Sequence, residues 1–171
     1  MEQTVNSVMD FAIQAEIDGE AFYTAAAEKT DEKGMKAYLK DLAREEKRHA
    51  ETFKVLKEKV QKKGVGEVFV NPQVDDYLDA VLRSGLFEMA RQAVPEGEAP
   101  RTIDEVYRIA LRAERSSILL YEAMLEGTKD RGLKRILKRI IREEKSHLTK
   151  IVYLRANQDG LFAVERFGCM C

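Results

Sequence analysis

Arg44-Glu45-Glu46-Lys47-Arg48-His49 returns 98 residues later as Arg142-Glu143-Glu144-Lys145-Ser146-His147. His49 and His147 are the only two histidines in the chain. In each copy a glutamate and a histidine stand three residues apart, which places both side chains on one face of a helix. Each copy also interrupts an apolar stripe. The first stripe runs Met35, Leu39, Leu42, Glu46, His49, Phe53, Leu56, Val60, and the second Leu133, Leu137, Ile140, Glu144, His147, Ile151, Leu154. Alternating steps of four and three mark a helix that buries one face.

The same offset aligns the flanking segments without a gap. Glu16 meets Glu114, Tyr23 meets Tyr121, Gly34 meets Gly132 and Leu39 meets Leu137. Shared helical composition produces scattered Ala and Lys matches. It does not readily match both histidines together with the Arg-Glu-Glu-Lys before each. The chain therefore reads as an internal duplication with a pseudo-two-fold axis. A further stripe precedes each of these two: Met9, Ala12, Glu16, Gly19, Tyr23, Ala26 before the first, and Ala110, Glu114, Ser117, Tyr121, Met124 before the second.

The three prolines, Pro72, Pro95 and Pro100, all fall in the middle, and both flanks are rich in good helix formers. A first helix is expected from about Thr4 to Lys29, with a turn over Thr30 to Lys33. The second ends near Gly64, a natural stop. Thr102 followed by Glu105 reads as a capping box that opens the third, which ends near Gly127. The fourth spans about Asp130 to Asp159, with Gly160 as terminator. Short helices are expected at Gln73–Arg83 and Gly85–Ala93, and irregular chain at Glu67–Val70. Turns this short make each arm an antiparallel hairpin. The expected architecture is all-α: one domain over residues 1–171, a four-helix bundle of two duplicated hairpins, with a long crossover at 64–101 and a tail at 161–171.

Each helix thus carries a glutamate where its stripe faces the core. A buried carboxylate shifts its pKa or finds a cation, and four together repel one another. Two divalent ions balance four such charges, and the two imidazoles add neutral ligands. One Glu-Glu-Lys face alone would read as solvated surface; two copies in register, each matched to a second glutamate, do not. Oxygen donors with two imidazoles suit iron or manganese. Availability and redox activity favour two iron ions, and zinc is able to enter such a site in a purified sample.

Composition agrees. The 171 residues carry 29 basic and 30 acidic side chains, a net charge of -1, so nucleic acid is not an expected partner. Hydrophobic residues make up 44%, enough for a core. No apolar run approaches the ~20 residues needed to span a membrane. Met1 to Asp10 lacks the basic start and apolar core of a secretory leader. With only Cys169 and Cys171, a cytoplasmic setting is expected.

On Glu16 with Tyr23, Glu46-Lys47-Arg48-His49, Glu114 with Tyr121, and Glu144-Lys145-Ser146-His147, residues 4–158 resemble the rubrerythrin branch of the ferritin superfamily. The resemblance implies a ferritin-like bundle with two metals. Glu46 and Glu144 would bridge them, Glu16 and Glu114 would be terminal ligands, and His49 and His147 would bind one metal each. It also implies that Tyr23 and Tyr121 hydrogen-bond to ligand carboxylates. Two departures stand out. The Cys-x-x-Cys pairs of a rubredoxin domain are missing, and Ser117 stands where rubrerythrins proper carry an additional glutamate.

The function these features point to is reduction of hydrogen peroxide or dioxygen at a di-iron centre, a role in oxidative stress, with an external electron donor and a homodimer as the assembly. Alternatives are a ferroxidase or iron-storage protein, and a non-catalytic metal-binding module whose apolar crossover, with Tyr77, Leu82 and Phe87, docks a partner. Glu45 and Glu143, four residues before the histidines, are secondary ligand candidates lying off the stripe. Glu20 is another, without support from its counterpart Ile118. Cys169 and Cys171 read as a thiol pair that donates electrons or binds metal, or as an ordinary chain end.

Overall fold

The structure, a computed structural model, describes residues 2–63 and 102–158. The described chain forms four helices: α1 (Glu2–Lys29), α2 (Lys33–Lys63), α3 (Ile103–Gly127) and α4 (Arg131–Gln158). Among the described residues there is no strand, and no helix is long and apolar enough to cross a membrane. The expected crossover helices, the irregular stretch 67–70 and the tail with Cys169 and Cys171 lie outside the described residues.

Local chemistry sets the helix ends. Thr102 is extended, with φ -132° and ψ 155°, and its hydroxyl accepts from the Glu105 backbone N–H at 3.2 Å, capping α3 as expected. The two hairpin turns close alike. Glu32 accepts from the backbone N–H groups of Gly34, at 2.8 Å, and Met35. Its counterpart Asp130 accepts from Leu133 N–H at 2.8 Å. Each capping carboxylate folds back over the following glycine. A Cβ would stand 3.0 Å from Glu32 Oε1 at Gly34 and 3.1 Å from Asp130 Oδ1 at Gly132. That crowding accounts for a glycine at both duplicated positions.

α1 packs along α2 and α3 along α4, and α1–α3 and α2–α4 contacts join the hairpins. The apolar stripes meet in two separate clusters. One gathers Met9, Phe53, Leu56, Leu120, Met124 and Leu137. The other gathers Ala26, Met35, Leu39, Leu42, Tyr107 and Ile151. Burying a side chain such as Phe53 or Leu137 contributes about 1.5–3 kcal/mol. Between the clusters lies a buried polar layer.

Candidate metal centre

Every glutamate and histidine on the stripes reaches that layer. Glu16 from α1, Glu46 and His49 from α2, Glu114 from α3, and Glu144 and His147 from α4 are all buried. They fall into two overlapping groups: Glu16, Glu46, His49 and Glu144, and Glu46, Glu114, Glu144 and His147. Within each group one donor atom per residue lies within 4.8 Å of the others. Glu46 and Glu144 belong to both.

The imidazoles face inward through Nδ1. His49 Nδ1 lies 2.9 Å from Glu144 Oε1, 3.5 Å from Glu16 Oε2 and 4.0 Å from Glu46 Oε2. His147 Nδ1 lies 3.4 Å from Glu144 Oε2, 3.6 Å from Glu114 Oε2 and 3.9 Å from Glu46 Oε1. The two rings stack with centroids 6.3 Å apart. Glu16 Oε2, Glu114 Oε2, Glu144 Oε1 and both Nδ1 atoms are buried with no aligned hydrogen bond, facing only the other carboxylates and imidazoles of the layer. Buried polar atoms are normally satisfied. Five unsatisfied atoms converging on one space, most of them anionic when ionised, fit divalent cations as the missing partners.

Hydrogen bonds hold the inner side chains from the opposite hairpin. Tyr23 on α1 donates to Glu114 Oε1 on α3 at 2.5 Å, and Tyr121 on α3 donates to Glu16 Oε1 on α1. The two tyrosines therefore meet carboxylates, as expected, and in each case the other hairpin's. Tyr121 also packs on Phe53, ring centroids 4.9 Å apart. Gly19 clears space beside Glu46, since a Cβ there would stand 3.3 Å from Glu46 Cγ.

The secondary candidates lie elsewhere. Glu143 meets His49 on its outer nitrogen, Nε2, at 2.9 Å, and Glu45 meets His147 Nε2. Neither belongs to the inner groups. Each orients the histidine of the other hairpin. The duplicated Glu-Glu spacing was the available signal, but the partner depends on which helices are neighbours across the bundle. Glu20 pairs with Lys47 at 3.6 Å, outside both groups. Tyr38, half-buried, donates to the His147 carbonyl at 3.4 Å and has Lys150 4.1 Å over its ring. Its counterpart is Ile136, so the duplication gives no hint of it.

The electrostatics follow from crowding. Burial, with the neighbouring Glu144 charge, pushes Glu114 up to about 8. Burial likewise pushes Glu16 up to about 8, against hydrogen bonds from Glu46 and Tyr121. Glu46, buried beside Glu144 and Glu16, is raised well above the carboxylate range. Glu144 is the exception: burial opposes its charge, but two imidazoles beside it hold it ionised. Burial alone would lower both histidines. Glu144, with the other carboxylates around it, pushes His49 up to about 9. Glu114 and Glu144 push His147 up to about 11. Protons thus occupy the positions that cations would take.

The model of the rubrerythrin family matches residues 7–154. The chain belongs to the rubrerythrin family. This rubrerythrin-family chain is also similar in structure to a Thermotoga maritima protein described as a candidate ferritin-like diiron-carboxylate protein. The TM-score is 0.65 at 25% identity, over 90% of this chain and 95% of that one. No curated protein matches the sequence. Fold, family and the converging side chains together make the layer between the two cores a candidate di-metal centre.

Proposed function

We propose that this chain is a di-iron carboxylate oxidoreductase that reduces hydrogen peroxide, or dioxygen, with electrons from an external donor. The observation that carries the reading is the pair of four-donor groups sharing Glu46 and Glu144. Glu46 and Glu144 would be shared by the two ions, Glu16 and His49 would complete one position, and Glu114 and His147 would complete the other. Iron suits this oxygen-rich donor set with two imidazoles, and the similar Thermotoga maritima protein is described as a candidate diiron-carboxylate protein. Two bound ferrous ions would supply one electron each to hydrogen peroxide, which takes up two protons and breaks its O–O bond to give two waters.

The protein's own part is positioning and exclusion. Tyr23 and Tyr121 hold the terminal carboxylates by one oxygen and leave Oε2 for a metal. Glu45 and Glu143, accepting from Nε2–H, keep the lone pair of each imidazole on Nδ1. The apolar clusters on both sides keep water away from the layer.

The test is anaerobic loading with ferrous iron, then stopped-flow oxidation by peroxide and by dioxygen. Two irons per chain, a fast peroxide reaction and loss of both in Glu46→Ala or Glu144→Ala are expected. Unchanged turnover in either variant refutes the assignment. A dioxygen reaction much faster than the peroxide one turns the reading toward a ferroxidase.

A further inference from the structure

The duplication is complete in the six inner donors and in Glu45 and Glu143, but not in what surrounds those outer glutamates. Glu143 Oε2, which meets His49, also accepts from Arg48 at 3.1 Å, and Glu143 Oε1 accepts from Arg139 Nε at 3.1 Å. The counterparts of these arginines are Ser146 and Asp41. One cation has become a hydroxyl, and the other an acid that pairs with Arg44 instead. Lys150, three residues after His147, sits over the Tyr38 ring. Among the described residues, Glu45 therefore presents its charge to His147 without an arginine sharing it.

From this we infer that the two metal positions are unequal: a divalent cation fills the Glu114–His147 position first and the Glu16–His49 position second. The inference rests on the two-ion reading above. Two physical effects point the same way. An outer carboxylate makes a bound imidazole more basic and a stronger ligand, and Arg48 and Arg139 draw that influence away from His49. The cluster outside His49 also carries one carboxylate and two guanidinium groups, a net positive charge, whereas Glu45 alone is negative. A dication is repelled by the first and attracted by the second. Water opposes the trend, since the Glu45 side chain is 40% exposed and that of Glu143 27%. That is a modest difference beside two added positive charges 3.1 Å from Glu143. Arg48 and Arg139 are thus positioning residues that set the order of loading.

The chain's two histidines make the order directly readable. The empty protein, labelled with 15N at histidine, is titrated with Zn2+ while both imidazoles are followed by NMR, a His49→Gln variant supplying the assignment. If the outer shell weakens one position about tenfold, independent filling places about three quarters of the first equivalent at His147. The His147 Nδ1 resonance then moves mainly over the first equivalent and that of His49 over the second. The double variant Arg48→Ser with Arg139→Gln alters only half-exposed or exposed side chains, and in it both resonances are expected to move together. Simultaneous movement in the natural chain, His49 moving first, or an unchanged order in the double variant would overturn the inference. Binding of fewer than two ions with neither Nδ1 shifting would instead refute the two-ion reading itself.

Discussion

Loading the empty centre with two divalent ions should release about five protons per chain near neutral pH. Glu16 and Glu114, pushed up to about 8, and Glu46, raised well above the carboxylate range by burial beside Glu144 and Glu16, hold protons at pH 7. His49 and His147, pushed up to about 9 and about 11, are cationic there. Glu144 alone is already ionised. A metal takes ionised carboxylates and neutral imidazoles, so binding displaces the other protons. The product of the two binding constants then falls by about five powers of ten per pH unit lost between roughly pH 7 and 6. The sign is fixed: acid competes with metal. Above about pH 8, Glu16 and Glu114 ionise unaided and the slope becomes shallower. Calorimetric titration with Mn2+ at pH 6.5, in two buffers of different ionisation enthalpy, counts the protons. Release of two or fewer would mean that the carboxylates are already ionised in the empty centre, and the reasoning from burial and mutual repulsion would fail.

The same groups predict that the empty protein loses stability as pH rises from about 5 to 8. Between those values folded Glu16, Glu46 and Glu114 hold protons that the unfolded chain has released. Thermal unfolding of the metal-free protein at both pH values checks this, and a higher midpoint at pH 8 would contradict it. Tyr121→Phe keeps the packing on Phe53 but removes the donor to Glu16, so urea unfolding of the empty protein should show a loss of about 1–3 kcal/mol. Gly19→Ala improves helix propensity by roughly 1 kcal/mol but sets a methyl 3.3 Å from Glu46 Cγ. Metal affinity should drop about tenfold while the empty protein's unfolding free energy changes little; unchanged affinity would mean Glu46 moves aside at no cost.

The four helices and the convergence of the six stripe carboxylates and imidazoles were legible because both depend on short-range periodicity. Carboxylates at core positions of a strict 4–3 stripe have few physical outcomes, and the 98-residue repeat doubled the signal. Helix ends fell within a few residues of expectation because Thr102, Glu32 and Asp130 act locally. What was not legible is everything that crosses between hairpins. Glu45 and Glu143 lie off their own stripes, and only the placement of α2 beside α4 shows that each completes the opposite histidine. Tyr38 has no duplicated counterpart, so nothing in the sequence marked it as a neighbour of His147.

The crossing of those bonds has a consequence for how such a molecule could come to exist. In either hairpin, the tyrosine finds no carboxylate of its own to hold, and the outer glutamate no histidine of its own to orient. A free hairpin of this kind is chemically complete only beside a twin. Joining two in one chain removes the need to find that twin. It also lifts the requirement that both halves stay identical, leaving Arg48 and Ser146 free to differ.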